Sequence, residues 1–180
     1  EGAVTGLVDG SCTVKVVDNA KSFQDAGSHW AKDAIAFASS HELFGGVGGG
    51  NFAPDATIDR AMLATVLYRL EDAKTTGSAS FTDVPAGAWY ADAVAWANGN
   101  GIVKGSGNGF DPSGSVTREQ LATMLYRYAQ TLDMDTKAIG SLDKFSDGGQ
   151  TSGWAKDAMS WAVGSGLLSG KGEGILDPSG

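Results

Sequence analysis

The chain is one unit written repeatedly. Phe23-x-Asp25, Trp30-Ala31, Phe52-x-Pro54 and Ile58-Asp59-Arg60 return as Phe81-x-Asp83, Trp89-Tyr90, Phe110-x-Pro112 and Val116-Thr117-Arg118. A third round runs Phe145-x-Asp147, Trp154-Ala155 and Leu176-x-Pro178. Phe23 to Phe81, Pro54 to Pro112 and Arg60 to Arg118 are each 58 residues apart, and Phe81 to Phe145 is 64. Such a period implies an array of small units that bury their faces on one another. It also bears on function. A catalytic site is ordinarily built once, whereas a tandem unit multiplies a weak binding site.

Each copy reads as helix, Gly-rich loop, helix. In the first helix, apolar residues recur at one face: Trp30, Ala34, Ile35, Phe37, Ala38; then Trp89, Ala93, Val94, Trp96, Ala97; then Trp154, Ala158, Met159, Trp161, Ala162. A Gly-rich stretch follows, around Gly45, Gly105 and Gly170, where backbone can approach closely. The Phe/Leu-x-Pro step then blocks helix and predicts an extended turn. The second helix opens with a cap. Thr117 and Gln120 fit a capping box, and Asp59 caps the first copy although Met62 replaces the reciprocal Gln. Within these 180 residues the third copy has no second helix. Helices this short are marginal alone, so their faces must meet those of other copies.

The expected class is therefore all-α: tandem helix–loop–helix repeats packed as a pseudo-threefold bundle. The units are placed at 22–78, 79–142 and 143–180. The six extra residues between the second and third copies fall in 129–144, expected to be a surface connection. Residues 1–21 differ. Thr13-Val14-Lys15-Val16-Val17 is β-branched and reads as a short strand, either an edge strand or the end of an upstream domain. The chain opens at Glu1 with neither Met nor an apolar leader, so a processed or excised form is expected.

A net charge of −8 disfavours nucleic acid, which needs a basic face. No apolar run approaches the ~20 residues needed to cross a bilayer, so no membrane insertion is expected. Cys12 is the single cysteine and excludes an internal disulfide. No phosphate loop, nucleophile elbow or zinc motif is present, so neither cofactor nor metal is expected, nor enzyme chemistry. Asp33, Asp92 and Asp157 repeat on the three first helices and read as solvated charges rather than catalytic carboxylates. His29 and His41 occur in the first copy only and read as exposed polar positions.

All four arginines lie in the second helices. Arg69 and Arg127 fall towards the C-terminal half, where the macrodipole favours a cation, and read as stabilising surface charges. Arg60 and Arg118 stand in the first turn, against the dipole. Two readings fit them. One is an anion site made of free helix N–H groups and a bidentate guanidinium. The other is an ion pair with a Phe-x-Asp carboxylate of a neighbouring copy. Trp30, Trp89 and Trp154 could offer indole faces to a sugar ring, but their phase places core packing first. Trp96 and Trp161 are assigned to the core. Asp25, Asp83 and Asp147 read first as turn or cap formers, with a role in orienting a groove arginine or a sugar hydroxyl second.

Taken in order, these residues resemble the S-layer homology (SLH) module over roughly residues 22–180. That unit carries Phe-x-Asp, a Trp-Ala helix, Gly-Ile-(Ile/Val)-x-Gly, Phe-x-Pro and a helix opening Ile-Thr-Arg-Ala-Glu. The resemblance implies a secreted module at a bacterial cell surface, with a wall of Gram-positive type. It implies a non-catalytic anchor bound to an anionic secondary cell-wall polysaccharide, often pyruvylated, in grooves between repeats. Arg60 and Arg118 are the implied contacts to the ligand carboxylate. The first copy departs from the pattern, with Ile58-Asp59-Arg60-Ala61-Met62 lacking Thr and Glu. The alternative function is a protein–protein or self-assembly module of a surface protein, with the open core face as its interface.

Overall fold

The computed structural model describes residues 10, 11, 13, 15, 18–74, 81–105, 109–137 and 139–180. Cys12 and most of the strand expected at 13–17 lie outside the described residues. Among the described residues the regular structure is helical: α1 (Lys32–Ser40), α2 (Arg60–Leu70), α3 (Ala91–Gly99), α4 (Arg118–Thr131) and α5 (Lys156–Gly164). Short 3-10 turns at Gly148–Gln150 and Gly153–Ala155 lead into α5. No described helix is long and apolar enough to cross a membrane. The chain divides into two compact units, Glu1–Asp55 and Ala56–Gly180.

In the larger unit α2 packs on α3 and α4 packs on α5. The second helix of one repeat thus covers the first helix of the next, which is how each short amphipathic helix finds a partner. One cluster joins Ala61, Leu63, Ala64 and Leu67 to Val94, Ala97, Ile102, Val103 and Phe110. Another joins Ala122 and Ala129 to Ala155, Ala158, Met159, Trp161 and Ala162. Trp161 is buried and Trp96 packs against the first cluster, as their phase predicts. Asp92 and Asp157 face solvent.

Both predicted caps form. The Asp59 carboxylate accepts from Met62 N at 2.7 Å. Thr117 and Gln120 close a reciprocal box, with Gln120 N donating to the Thr117 hydroxyl at 3.2 Å and Thr117 N donating to Gln120 Oε1 at 3.4 Å.

The connection expected at 129–144 is shorter and less free than its composition suggests. α4 continues to Thr131. Gly140 N then donates to Ser160 O, and the Ser160 hydroxyl returns a bond to Gly140 O at 2.7 Å. A Cβ on Gly140 would stand 2.6 Å from Val163 Cγ1, so glycine is what lets this segment lie against α5.

In the smaller unit, Phe23, Phe44 and Phe52 form an edge-to-face aromatic group, with centroids 5.1 Å apart for Phe23–Phe52 and 6.0 Å for Phe44–Phe52. Asp33 is exposed, as expected. His29, expected to be exposed, has a side chain only 14% exposed and lies 3.2 Å from Asp55.

Candidate functional site

Three carboxylates hold the three Phe/Leu-x-Pro loops in shape. Asp25 accepts from Phe52 N and Ala53 N at 2.8 and 2.7 Å. Asp83 accepts from Phe110 N and Asp111 N, both at 2.7 Å. Asp147 accepts from Leu176 N and Asp177 N, both at 2.7 Å. These are clasps across some thirty residues, not the local turns or caps expected from sequence. The paired backbone N–H groups, led by those of Phe52, Phe110 and Leu176, hold all three carboxyls below the usual carboxylate range. Each clasp fixes a residue in the left-handed region: Ala53 at φ 59°, Asp111 at 58° and Asp177 at 54°. The predicted extended turn is therefore a left-handed kink. A non-glycine residue disfavours that conformation by roughly 1–2 kcal/mol, which the clasp offsets.

Each clasped loop is flanked by a glycine lying on the Phe ring of its Phe-x-Asp. A Cβ on Gly105 would stand 2.5 Å from Phe81 Cε1, one on Gly170 3.0 Å from Phe145 Cε1, and one on Gly46 2.7 Å from Phe23 Cε1. In the first repeat this glycine is Gly46, not Gly45, which has open space around it. Counted from the leading Trp, Gly46 stands 16 residues on, as Gly105 and Gly170 do, whereas Gly45 aligns with Lys104 and Ser169.

The clasped loops receive the arginines. Arg60 N donates to Gly114 O and Ala61 N to Pro112 O, both at 3.0 Å. The Arg60 side chain adds Nε to Phe110 O at 2.8 Å and Nη2 to Lys104 O at 3.3 Å. One repeat on, Arg118 N donates to Gly180 O and Glu119 N to Pro178 O, both at 2.9 Å. Its Nε reaches Leu176 O at 2.9 Å and its Nη2 reaches Ser169 O at 2.5 Å. The first three N–H groups of both helices are therefore occupied, two by backbone carbonyls and the third by the cap side chain, and are not free for an anion. Nor do the arginines pair directly with the Asp83 or Asp147 carboxylates, although Asp83 and Asp111 lie close enough to Arg60 to act on its charge. A cation in the first turn is tolerated because two carbonyl oxygens accept from each guanidinium.

Beside the Arg60 joint opens a cleft of about 450 Å³. Arg60, Lys104, Asp111, Gln120, Arg127 and Trp154 line it, with Gly105 and Phe110 in its wall. Arg127 is thus not the free surface charge that its position in the helix suggested. It is half-buried, its Nη1 lies 3.4 Å from Ile102 O, and burial lowers its pKa as it does that of Arg60. The guanidinium of Arg60 sits 4.8 Å from the centroid of Phe110. The leading tryptophans are not core. Trp30 is 91% exposed, Trp89 63% and Trp154 56%. Each precedes its helix by two residues, and there the face that the periodicity assigned to the core has already turned outward. The structure brings Arg60, Gly105 and Trp154 of the expected set to one cleft. Arg118, Asp147 and Gly170 belong to the next loop, and Asp25, Gly45 and Trp30 to the smaller unit. Among the described residues no group of three or more metal-ligating side chains occurs.

The S-layer homology domain profile matches residues 22–62, 80–122 and 144–180, more than half of the chain. The chain belongs to the S-layer homology domain family. It is 31% identical over 161 residues, 89% of its length, to an amylopullulanase of Thermoanaerobacterium thermosulfurigenes. It is 30% identical over 180 residues, 96% of its length, to the S-layer protein sap of Bacillus anthracis. A cellulosome-anchoring protein of Acetivibrio thermocellus is 33% identical over 107 residues, 56% of the chain. The SLH chain spans only 9%, 21% and 24% of those three proteins.

Proposed function

We propose that this SLH chain is a non-catalytic anchor that holds a larger secreted protein to the bacterial cell wall, of Gram-positive type, by binding an anionic polysaccharide. The cleft carries this reading. It gathers Arg60, Lys104 and Arg127 within one concavity and opens the Trp154 indole onto it. Local cations are what an acidic sugar needs on a chain whose net charge is −8. An exposed indole is the usual platform for a sugar ring. The two carbonyl bonds of Arg60 orient its fork and leave the Nη1 edge for a ligand carboxylate, such as that of a pyruvate ketal. Arg118 would present the same edge beside the third loop, and Trp30 and Trp89 would offer the same platform beside their own. The relatives are an S-layer protein, an amylopullulanase and a cellulosome-anchoring protein. A shared module in proteins so different supports attachment rather than a common reaction.

Co-sedimentation with purified walls, intact and stripped of secondary polysaccharide, tests this. Retention by intact walls alone is expected, with Arg127→Ala and Trp154→Ala each weakening it while the fold is kept. Equal retention by stripped walls, or variants that bind unchanged, would count against the cleft.

A further inference from the structure

Each clasped loop kinks at one left-handed residue, and the three residues differ. Ala53 has an apolar side chain, whereas Asp111 and Asp177 carry carboxylates. Asp177 Oδ2 lies 2.6 Å from Lys171 Nζ, so its charge is matched within its own loop. Asp111 is exposed, and its backbone N–H goes to Asp83 at 2.7 Å. Among the described residues the ion pairs are His29–Asp55 and Lys171–Asp177, and the Asp111 carboxylate joins neither.

The kink does not call for this charge. A φ of 58° favours a short polar residue, and asparagine meets it as readily as aspartate. The carboxylate lies over Gly114, where a Cβ would collide with Oδ2. Its charge acts on Arg60, working against the burial that lowers the arginine pKa. A counter-ion to Arg60 is therefore the plain role for it. The cleft adds a second one. Arg60, Lys104 and Arg127 share that concavity with Asp111 and Trp154. Three cations alone would take any small anion. A carboxylate in the same cleft opposes a bare anion by like charge, and it offers acceptor oxygens to a ligand that also carries a hydroxyl. A sugar ring lying on the Trp154 indole by its C–H face turns its hydroxyls to the rim of the cleft.

We propose that Asp111 is the selectivity-determining residue of the cleft: it accepts from a hydroxyl of the bound sugar while the cations hold the acidic group, so acidic sugars enter and bare anions are turned away. The inference rests on the reading of the cleft as a polysaccharide site. It assigns discrimination to a side chain whose equivalent in the first loop is Ala53 and whose equivalent in the third is tied to Lys171.

The test uses the intact 180-residue chain and two probes with one negative charge each, glucuronate and pyruvate. Their affinities are read by NMR titration of the Trp154 indole N–H, alongside co-sedimentation with intact walls. Glucuronate is expected to bind roughly tenfold or more tighter than pyruvate, the worth of one hydrogen bond to a charged acceptor. Asp111→Asn keeps the kink and a neutral acceptor. Asp111→Gly also fits the kink and removes the acceptor outright. Both should weaken glucuronate and wall retention, glycine more, and both should strengthen pyruvate. Equal affinity of the unaltered chain for the two probes overturns the proposal. So does a gain for both probes in Asp111→Asn, which would make Asp111 a repelling charge only. A change confined to urea stability would leave Asp111 as the counter-ion of Arg60. Retention of Asp111→Gly by walls at the unaltered level overturns the proposal whatever the small probes do, and leaves the cleft reading standing. If the unaltered chain binds neither walls nor glucuronate, the cleft reading itself falls and takes this inference with it.

Discussion

The joint made by Arg60 and the joint made by Arg118 use the same backbone bonds at the same register, yet two side chains differ. Arg60 lies over the Phe110 ring, whereas Leu176 stands at that place in the next loop. Arg60 is followed by Ala61, whereas Arg118 is followed by Glu119, buried and accepting from Ser152 N at 2.9 Å and the Ser152 hydroxyl at 2.8 Å. The repeat is thus defined by main-chain acceptors, and its side chains tune each joint. The first joint borders the cleft. The second is pinned by a buried carboxylate.

Removing the shared element should have the largest effect. Arg60→Ala and Arg118→Ala each delete two side-chain bonds to carbonyls and leave those oxygens short of a partner. A loss of about 2–4 kcal/mol is expected for each by urea unfolding. Arg60→Ala should cost more, because the contact with Phe110 also goes, worth roughly 0.5–1 kcal/mol. Lysine at either position should recover only part, as one ammonium cannot reproduce the fork. Losses near those of an ordinary surface substitution would show that the backbone bonds alone hold the joints.

The joints also mark where sequence reading reached and where it stopped. The caps at Asp59 and Thr117 were legible because capping is local: a side chain bonds an N–H three residues on. The covered helix faces were legible because periodicity is local too. The clasps were not, because Asp83 and Phe110 are 27 residues apart and nothing in Phe-x-Asp names a distant acceptor. Arg60 is anomalous in its turn by sequence, but the two carbonyls that satisfy it, those of Phe110 and Lys104, belong to another repeat. Arg127 was misjudged for the same reason, since its helix position says nothing about a cleft built from Lys104 and Trp154. The leading tryptophans were placed in the core by a periodicity that holds only once the helix has begun, two residues later.

Smaller changes sharpen the contrast between the joints. Glu119→Gln keeps one acceptor for Ser152 and loses the charge, so about 1–2 kcal/mol is expected from thermal or urea unfolding, with no counterpart at Ala61. Thr117→Ala removes one half of a capping box, and Asp59→Ala removes a single cap. Each should cost about 1 kcal/mol, the former more. Met62→Gln would supply the missing half in α2 and should gain about 0.3–0.5 kcal/mol. If it gains nothing, the two caps differ by more than the reciprocal bond.

The smallest expected effect is a dependence on pH. Asp83 and Asp147 are held below 3.8 chiefly by the N–H groups of Phe110 and Leu176. A carboxyl whose folded pKa is depressed contributes stability that is fully present above its unfolded value. That contribution fades as pH falls through 3.8 towards the folded pKa. Unfolding followed from pH 5 downward, about a unit above the carboxylate range, should therefore show loss confined to the acid limb. Asp83→Asn and Asp147→Asn should flatten that limb and lower the neutral plateau. Arg60 and Arg118 add a weaker pull on Asp83 and Asp147 respectively. Each arginine variant should therefore move only the acid midpoint of its own clasp, and only slightly upward. A shift of both midpoints by either variant would mean that the two joints are coupled and open together. Separate shifts would make each joint an independent latch, with the first free to yield beside the cleft while the second stays closed.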